Sequence, residues 1–129
     1  MLKSLEPRAL SVLRIIAGFT FSLHGLQKLF GAFGGLQGGT AAFGSLPWTA
    51  GVLECFGGLL ILLGLFTRPV ALLLCGEMAV AYLRTHAPWG FWPILNSGEP
   101  AVLYCFIFLY LSIAGGGAIG LDRLVRKKC

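Results

Sequence analysis

The chain has 129 residues, of which 57% are hydrophobic and 12% are charged, and its net charge is +5. A soluble domain of this size has about twice that charged fraction, and its single small core could not bury so much apolar surface. The surplus apolar surface is therefore expected to face lipid. The basic residues form no stripe with interleaved aromatic residues, which excludes nucleic-acid binding.

Four apolar segments follow one another along the chain, at about residues 9–30, 48–66, 70–85 and 101–121. Each is close to the ~20 residues that cross ~30 Å of hydrocarbon as a helix. Pro47, Pro69 and Pro100 stand just before the last three segments, where a missing N–H costs nothing. The sequence predicts an all-α fold in which residues 1–129 form one domain, a four-helix transmembrane bundle.

The basic residues are divided unequally between the two ends of these helices. Four spans place both termini on one side, together with eight of the ten basic residues: Lys3, Arg8, Arg14, Arg68, Arg123, Arg126, Lys127 and Lys128. Lys28 and Arg84 fall on the other side. By the positive-inside rule, both termini are predicted to be cytoplasmic in a bacterial inner membrane. The basic tail is expected to anchor against anionic headgroups.

A cleaved signal peptide is the alternative interpretation of the N-terminus. Lys3 and Arg8 would form its basic region, and residues 15–23 its apolar core. The small residues at 39–42 lie too far downstream for a good cleavage site, so a retained first helix is favoured.

Ionisable residues meet at the outer end of the first two segments. His24 and Lys28 lie one turn apart on one helix face. Glu54 lies ~9 Å below the outer boundary, at the depth of His24. Because an isolated charge in a membrane is costly, we predict that Glu54 pairs with Lys28 or His24. The pair either fixes helix packing or belongs to an outward-facing polar pocket that binds a small ligand or passes protons.

Further polar residues extend this predicted pocket. Glu77 lies near the middle of the third segment and is expected to be protonated or hydrogen-bonded, with Tyr82 or Tyr104 as partner. The candidate ligand-binding residues are His24, Lys28, Glu54, Glu77, Tyr82, His86 and Glu99. No catalytic residue is assigned. Two histidines are too few to indicate a haem or a metal site.

Other residues favour structural interpretations. Arg14 on the cytoplasmic side and Arg84 on the outer side are expected to extend to the membrane surface. The cysteines within the apolar segments are expected to act as small apolar residues. Small-residue spacings that suit close helix packing are Gly18/Ser22 and Gly57/Gly64. Both outer connections are apolar or aromatic, so they are expected to fold over the bundle mouth or to lie at the lipid headgroups.

Several separated motifs match one known family in order and spacing: HGLQKLFG at 24–31, LLGLFTRPVALLL at 62–74 and GEMAVAYLRTHAPWGFWPILNSGEPAVLYC at 76–105. Arg14, Phe21, Glu54 and the closing Leu121-Asp122 add to them. Over nearly its whole length the chain resembles the DoxX family of small four-helix bacterial membrane proteins. The absence of a CxxC motif separates it from membrane thiol oxidoreductases of similar size.

The resemblance implies a membrane subunit associated with redox chemistry or oxidative stress. Relatives include a subunit of an archaeal thiosulfate:quinone oxidoreductase, and others associate with superoxide dismutase and a sulfurtransferase. A quinone is therefore the candidate cofactor. The lipid bilayer is the expected environment of the protein, and soluble redox enzymes are its candidate partners. The alternatives are a non-enzymatic membrane anchor or assembly partner and a carrier of small solutes or lipids. A homo-oligomer stays open.

Overall fold

The computed structural model describes residues 1–37 and 39–128, so Gly38, Cys129 and the side chain of Lys128 lie outside the described residues. Within the described chain, every regular element is helical, which confirms the predicted all-α class. The helices are α1 Leu2–Phe30, α2 Leu46–Leu63, α3 Thr67–Trp89, α4 Glu99–Ala114 and α5 Leu121–Lys128. Single helical turns at Ala32–Gly34 and Pro93–Asn96 lie in the connections.

The first three helices are long and apolar enough to cross a membrane. The fourth has 16 residues, about 24 Å of helix, and ends at Ala114 rather than at residue 121. The chain leaves the helix there because Gly115 and Gly117 adopt positive φ values of 85° and 82°. Helix α5 follows. It was not predicted as a separate element, because its basic residues were interpreted only as a tail that anchors against anionic headgroups.

Small residues form the contact between α1 and α2. A Cβ at Gly18 would lie 2.8 Å from a carbonyl oxygen of α2, and one at Gly25 would overlap the backbone of Cys55. The predicted role of Gly18 in close packing is confirmed. The same approach brings Lys28 alongside α2, where a Cβ at Gly51 would lie 3.0 Å from the Lys28 Cβ.

The core lies between the four long helices and consists of Phe21, Ile61, Ala71, Leu74, Met78, Ala101, Phe108 and Leu111. Phe21 of α1 packs edge-on against Phe108 of α4, with ring centroids 4.8 Å apart. Helices α3 and α4 also contact each other through Cys75 and Cys105, whose sulfur atoms lie 3.7 Å apart. Both cysteines are free thiols and pack beside the core as small apolar residues.

The outer surface of the bundle is formed by large apolar side chains. Those exposed on the helices include Val12, Ile16, Phe19, Phe56, Leu59, Leu72, Leu73, Val80, Leu103, Phe106 and Ile113. A continuous apolar surface of this kind is costly in water and is solvated by hydrocarbon. Trp89, the last residue of α3, and Trp92, in the connection after it, are also exposed, as suits rings at headgroup level.

Arg14 is buried, and the expectation that it extends to the membrane surface is wrong. Its side chain is 1% exposed. Nη1 donates to the carbonyls of Ile61 and Leu62, each at 2.6 Å, Nε donates to that of Gly116 at 2.9 Å, and Nη2 donates to that of Ile119. Carbonyls at the end of a helix lack intrahelical donors and carry partial negative charge, so they hold the guanidinium inside.

Candidate functional site

An ion pair joins α1 and α2 near the end of the bundle that lies away from the termini. Lys28 Nζ lies 2.6 Å from Glu54 Oε1, which confirms the prediction that Glu54 pairs with Lys28 or His24. The Glu54 side chain is 4% exposed and that of Lys28 is 23% exposed. Glu54 lies in a π-helical turn, Leu53–Gly57, whose extra residue locally changes the direction in which the helix presents its side chains.

A cavity of about 710 Å³ lies beside this ion pair, between α1, α2 and α3. Its walls are mainly apolar and include Leu36, Leu46, Leu53, Leu72, Leu73 and Val80. Its charged lining residues are Lys28, Glu54, Glu77 and Arg84. Leu36 belongs to the connection after α1, so this connection folds over the mouth of the bundle, which is one of the two arrangements that its apolar composition predicted.

Glu77 is buried in this cavity without a hydrogen-bond partner. Both of its carboxylate oxygens and Oε2 of Glu54 are inaccessible and unpaired within the described chain. The expected partners are engaged elsewhere: the Tyr82 hydroxyl donates to a backbone carbonyl, and the Tyr104 hydroxyl donates to Thr20 Oγ1 at 2.7 Å. The expectation of a tyrosine partner is therefore wrong. Three acceptor oxygens are left in an apolar cavity, which is a costly arrangement.

Two of the candidate residues lie away from the cavity on other helix faces. His24 is exposed and meets the ring of Tyr104 edge-on, with centroids 6.1 Å apart. His24 lies one helical turn before Lys28 but is not a lining residue of this cavity. Glu99 is also exposed and lines a different cavity, of about 380 Å³, between α1 and α4.

Tyr82 and His86 order the connection between α3 and α4. Both lie in a second π-helical turn, Tyr82–His86, and both contact the buried Asn96. Asn96 Nδ2 donates to the Tyr82 hydroxyl at 3.2 Å and to the Gly90 carbonyl at 2.7 Å, and Oδ1 accepts from the Gly98 N–H at 2.8 Å. His86 Nδ1 donates to the Asn96 carbonyl at 3.0 Å. Asn96 was missed, although an Asn-Ser-Gly sequence is typical of a side-chain-stabilised turn.

Arg84 also lines the cavity. From the sequence it was expected only to extend to the membrane surface. The cavity thus offers two cationic donors, Lys28 and Arg84, and two carboxyl groups, Glu54 and Glu77. Apolar walls with a few convergent polar groups are typical of a site for a small organic molecule. Within the described residues, no group of three or more His, Cys, Asp or Glu side chains is arranged to hold a metal ion.

The comparisons with known proteins agree with this architecture. The DoxX family model matches residues 9–87. An "Uncharacterized protein" of Haemophilus influenzae is 41% identical, with 98% of each chain covered. "Putative oxidoreductase CatD" of Bacillus subtilis is 31% identical over 98% of this chain and 93% of its own, and "Inner membrane protein YqjF" of Escherichia coli is 32% identical over 98% and 99%. No solved structure matches at a significant level.

Three long apolar helices with an apolar exterior define a multi-pass protein of the bacterial inner membrane. The family match covers more than half of the chain, and the relatives align over almost all of it. The chain belongs to the DoxX family.

Proposed function

We propose that this protein is a redox-associated subunit of the inner membrane, in which the cavity between α1, α2 and α3 binds a quinone. One observation carries the proposal. Three buried carboxylate oxygens, Oε2 of Glu54 and both oxygens of Glu77, have no partner in the described chain and line an apolar cavity beside Lys28. A ligand that donates hydrogen bonds to them would remove the cost of leaving them unpaired.

The cavity suits a quinone in size, polarity and access. Its volume of about 710 Å³ is within the usual range for small-molecule sites. Leu72, Leu73 and Val80 are lining residues that are also exposed on the outer surface, so a ligand dissolved in the bilayer can reach the cavity from the side. Lys28 and Arg84 provide donors for the carbonyl oxygens of the oxidised form.

The carboxyl groups suit the reduced form. Reduction of a quinone to a quinol takes up two electrons and two protons, and Glu54 and Glu77 are placed to accept hydrogen bonds from the resulting hydroxyl groups or to exchange protons with them. The electrons would come from a partner protein. The name of the oxidoreductase relative supports a redox role, and the family resemblance suggests a sulfurtransferase or superoxide dismutase as partner in defence against oxidative stress.

We propose further that residues 1–129 form a single domain whose four helices α1 to α4 cross the membrane, with both termini in the cytoplasm. The eight-to-two distribution of basic residues supports this orientation. The packing of the C-terminal segment against the start of α1, where the Ala118 N–H donates to the Pro7 carbonyl at 3.0 Å, supports termini on one side.

The orientation is tested with single cysteines introduced by Ser4→Cys and Ser97→Cys in a chain whose natural cysteines are replaced by alanine. A membrane-impermeant maleimide added to sealed vesicles should label the two positions from opposite sides. Labelling of both from the same side would contradict the four-span arrangement.

Binding is tested by titrating the reduced, quinol form of a short-chain ubiquinone analogue into the protein in lipid nanodiscs under anaerobic conditions. Glu77→Leu should lower the affinity about tenfold, because it removes the buried acceptor and keeps a similar volume. Glu99→Leu is the matched control, since Glu99 is an exposed carboxylate at the edge of a different cavity. Equal affinity in the wild-type protein and both variants would overturn the assignment of the cavity.

A further inference from the structure

A second charged cavity lies at the end of the bundle that carries both termini. Its volume is about 580 Å³, and it is enclosed by the start of α1, the turn between α2 and α3, and the connection from α4 into α5. Four arginines line it, namely Arg8, Arg68, Arg123 and Arg126. Asp122 is its one acidic lining residue among those described. Four positive charges and one negative charge leave an excess of +3 around one cavity.

The carboxylate of Asp122 is already committed to the backbone. Oδ1 accepts the N–H of Phe66 at 2.7 Å, and Oδ2 accepts the N–H of Thr67 at 2.9 Å. Within residues 1–37 and 39–128, no salt bridge joins Asp122 to any of the four arginines. Asp122 can balance at most one of the four guanidinium charges, and its charge acts on Arg126. The remaining excess of positive charge would be relieved by a bound anion.

The glycine-rich connection after α4 leaves space for this cluster of arginines. A Cβ at Gly115 would lie 3.3 Å from Arg68 Nε, so Arg68 extends across a residue that has no side chain. On the other side of the connection, the Gly116 carbonyl accepts from the buried Arg14 and is not available to the cavity arginines. Arg123 donates to the Ala118 carbonyl at 2.8 Å. The other three cavity arginines have no hydrogen-bond partner within the described chain.

Helix α5 places two of these arginines, Arg123 and Arg126, at the depth of the lipid headgroups. Leu121, Leu124 and Val125 are exposed along one of its faces. At the 100° per residue of a regular helix, Arg123 and Arg126 lie on the opposite face. A short helix with one apolar and one basic face lies in the plane of the membrane interface. The apolar residues Leu10, Ala114 and Ala118 form the cavity wall between the arginines.

We propose that this cavity binds the phosphate group of an anionic phospholipid. Guanidinium groups bind phosphate oxygens in pairs through parallel N–H bonds, and four of them line this cavity. The oxygens of Asp122, the one carboxylate among the described lining residues, are held by backbone N–H groups. Basic pockets between membrane helices are suited to anionic headgroups, and the lipid supplies its phosphate at the depth that α5 defines. The apolar wall accommodates the glycerol and the start of the acyl chains. The site is separate from the proposed quinone cavity, which lies at the other end of the bundle.

The test uses the full chain in mild detergent and native mass spectrometry. Phosphatidylglycerol, cardiolipin and neutral phosphatidylcholine are titrated separately, and inorganic phosphate is added in a competing arm. The double variant Arg68→Gln/Arg126→Gln removes two cavity charges. Lys3→Gln/Lys127→Gln is the matched control, because it removes two charges from the same end of the bundle at residues that do not line this cavity. Melting curves show that both variants are folded, and Arg8→Gln serves if the first is not.

The wild-type protein should retain one anionic lipid at least tenfold more tightly than phosphatidylcholine. The cavity variant should lose about tenfold in that affinity and the control less than twofold. Equal losses in the two variants would show diffuse attraction to the surface and would overturn the site. Displacement of the lipid by millimolar inorganic phosphate would overturn its assignment to a lipid in favour of a soluble phosphate.

Discussion

The two ends of the bundle each bury a charged side chain, and they treat it in opposite ways. At the end with the termini, Arg14 is surrounded by carbonyls from α2 and from the connection after α4, four in all. At the other end, Oε1 of Glu54 contacts Lys28, whereas Oε2 of Glu54 and both oxygens of Glu77 have no partner within the described chain. In both regions, burial removes a charged group from water at a cost in free energy. Of Arg14, Glu54 and Glu77, only Arg14 forms hydrogen bonds within the described chain from all of its polar side-chain atoms.

This difference separates a structural role from a binding role. A buried charge whose hydrogen-bonding capacity is filled by the backbone has nothing left to offer a ligand, and it stabilises the fold that surrounds it. Buried oxygens that are unpaired inside a cavity keep that capacity for something else. Arg14 is therefore expected to control folding, and Glu54 and Glu77 are expected to control binding.

The largest effect is expected from Arg14→Met. The change removes the guanidinium donor from four carbonyls, of which Ile61 keeps the Gly64 N–H and Gly116 keeps the Ser11 hydroxyl. Since the other two lose their side-chain donor in an apolar environment, the change should destabilise the fold by about 3–5 kcal/mol. Urea unfolding of the detergent-solubilised protein measures this. Arg14→Lys is the conservative comparison, and it should recover part of the loss because an ammonium group can donate to fewer of the carbonyls. A stable, folded Arg14→Met protein would remove the structural assignment.

Glu54→Gln should reduce ligand affinity about tenfold and leave the stability within about 1 kcal/mol. Lys28 is 23% exposed and its long side chain can extend to the outer surface when the carboxylate is neutralised. Quinone titration, melting curves and the oxidant sensitivity of a complemented deletion strain measure the two effects separately. Glu99→Gln is the control.

Two results for Glu54→Gln would contradict a binding role. If stability and activity fall together by a few kcal/mol, the ion pair is structural, as at the Arg14 end. If the protein is stable and complements fully, Glu54 does not belong to a functional site.

Glu77→Leu should raise the free energy of unfolding by about 1 kcal/mol while it weakens binding of the quinol. The substitution removes two buried unpaired acceptors and fills a similar volume with apolar atoms. The fold therefore becomes more stable, while the site loses an acceptor for the ligand. Parallel unfolding and binding measurements on one preparation test this opposition. A loss of stability would mean that Glu77 has a structural partner after all, and the contrast with Arg14 would fail.

The smallest effect concerns Asp122, a satisfied carboxylate near Arg14. Burial raises the pKa of this carboxyl, but the N–H groups of Thr67 and Phe66 and the charge of Arg126 outweigh it and hold the pKa below the ordinary 3.8. Ionised Asp122 therefore stabilises the fold above about pH 4, and this contribution is lost as the pH falls through the lowered pKa.

Asp122→Asn should lower the melting temperature by about 2 °C at pH 7, and the difference from wild type should shrink as the pH falls below about 4 through the lowered pKa. Melting curves across this range test the sign. A difference that grows towards low pH would contradict it.

Several features of the molecule were predictable because they depend on periodicity, length and depth. Apolar stretches of about 20 residues indicated the long helices, and the depth of Glu54, close to that of His24 and Lys28, indicated an ion pair with one of these two residues. The small residue Gly18 indicated a close approach of two helices. These inferences need only the rise of a helix and the cost of charge in lipid.

The composition of the site depended on the tertiary structure. Of the seven candidate residues, Lys28, Glu54 and Glu77 line one cavity, whereas Tyr82 and His86 surround Asn96, and His24 and Glu99 face elsewhere. Two π-helical turns change the direction of the side chains within them and after them. The spacing of apolar residues in the sequence does not reveal where such a turn occurs.

By itself the sequence determined that this is a helical membrane protein, where its apolar helices run, and which charges share a depth, because hydrophobicity acts on each segment separately. Only the tertiary structure decided that Arg14 is buried and that Glu77 is unpaired. The partners of Arg14 are backbone carbonyls, which every residue possesses and no side-chain pattern reveals. Whether a carboxylate meets a donor depends on the rotation and bend of neighbouring helices, which packing of the whole bundle sets.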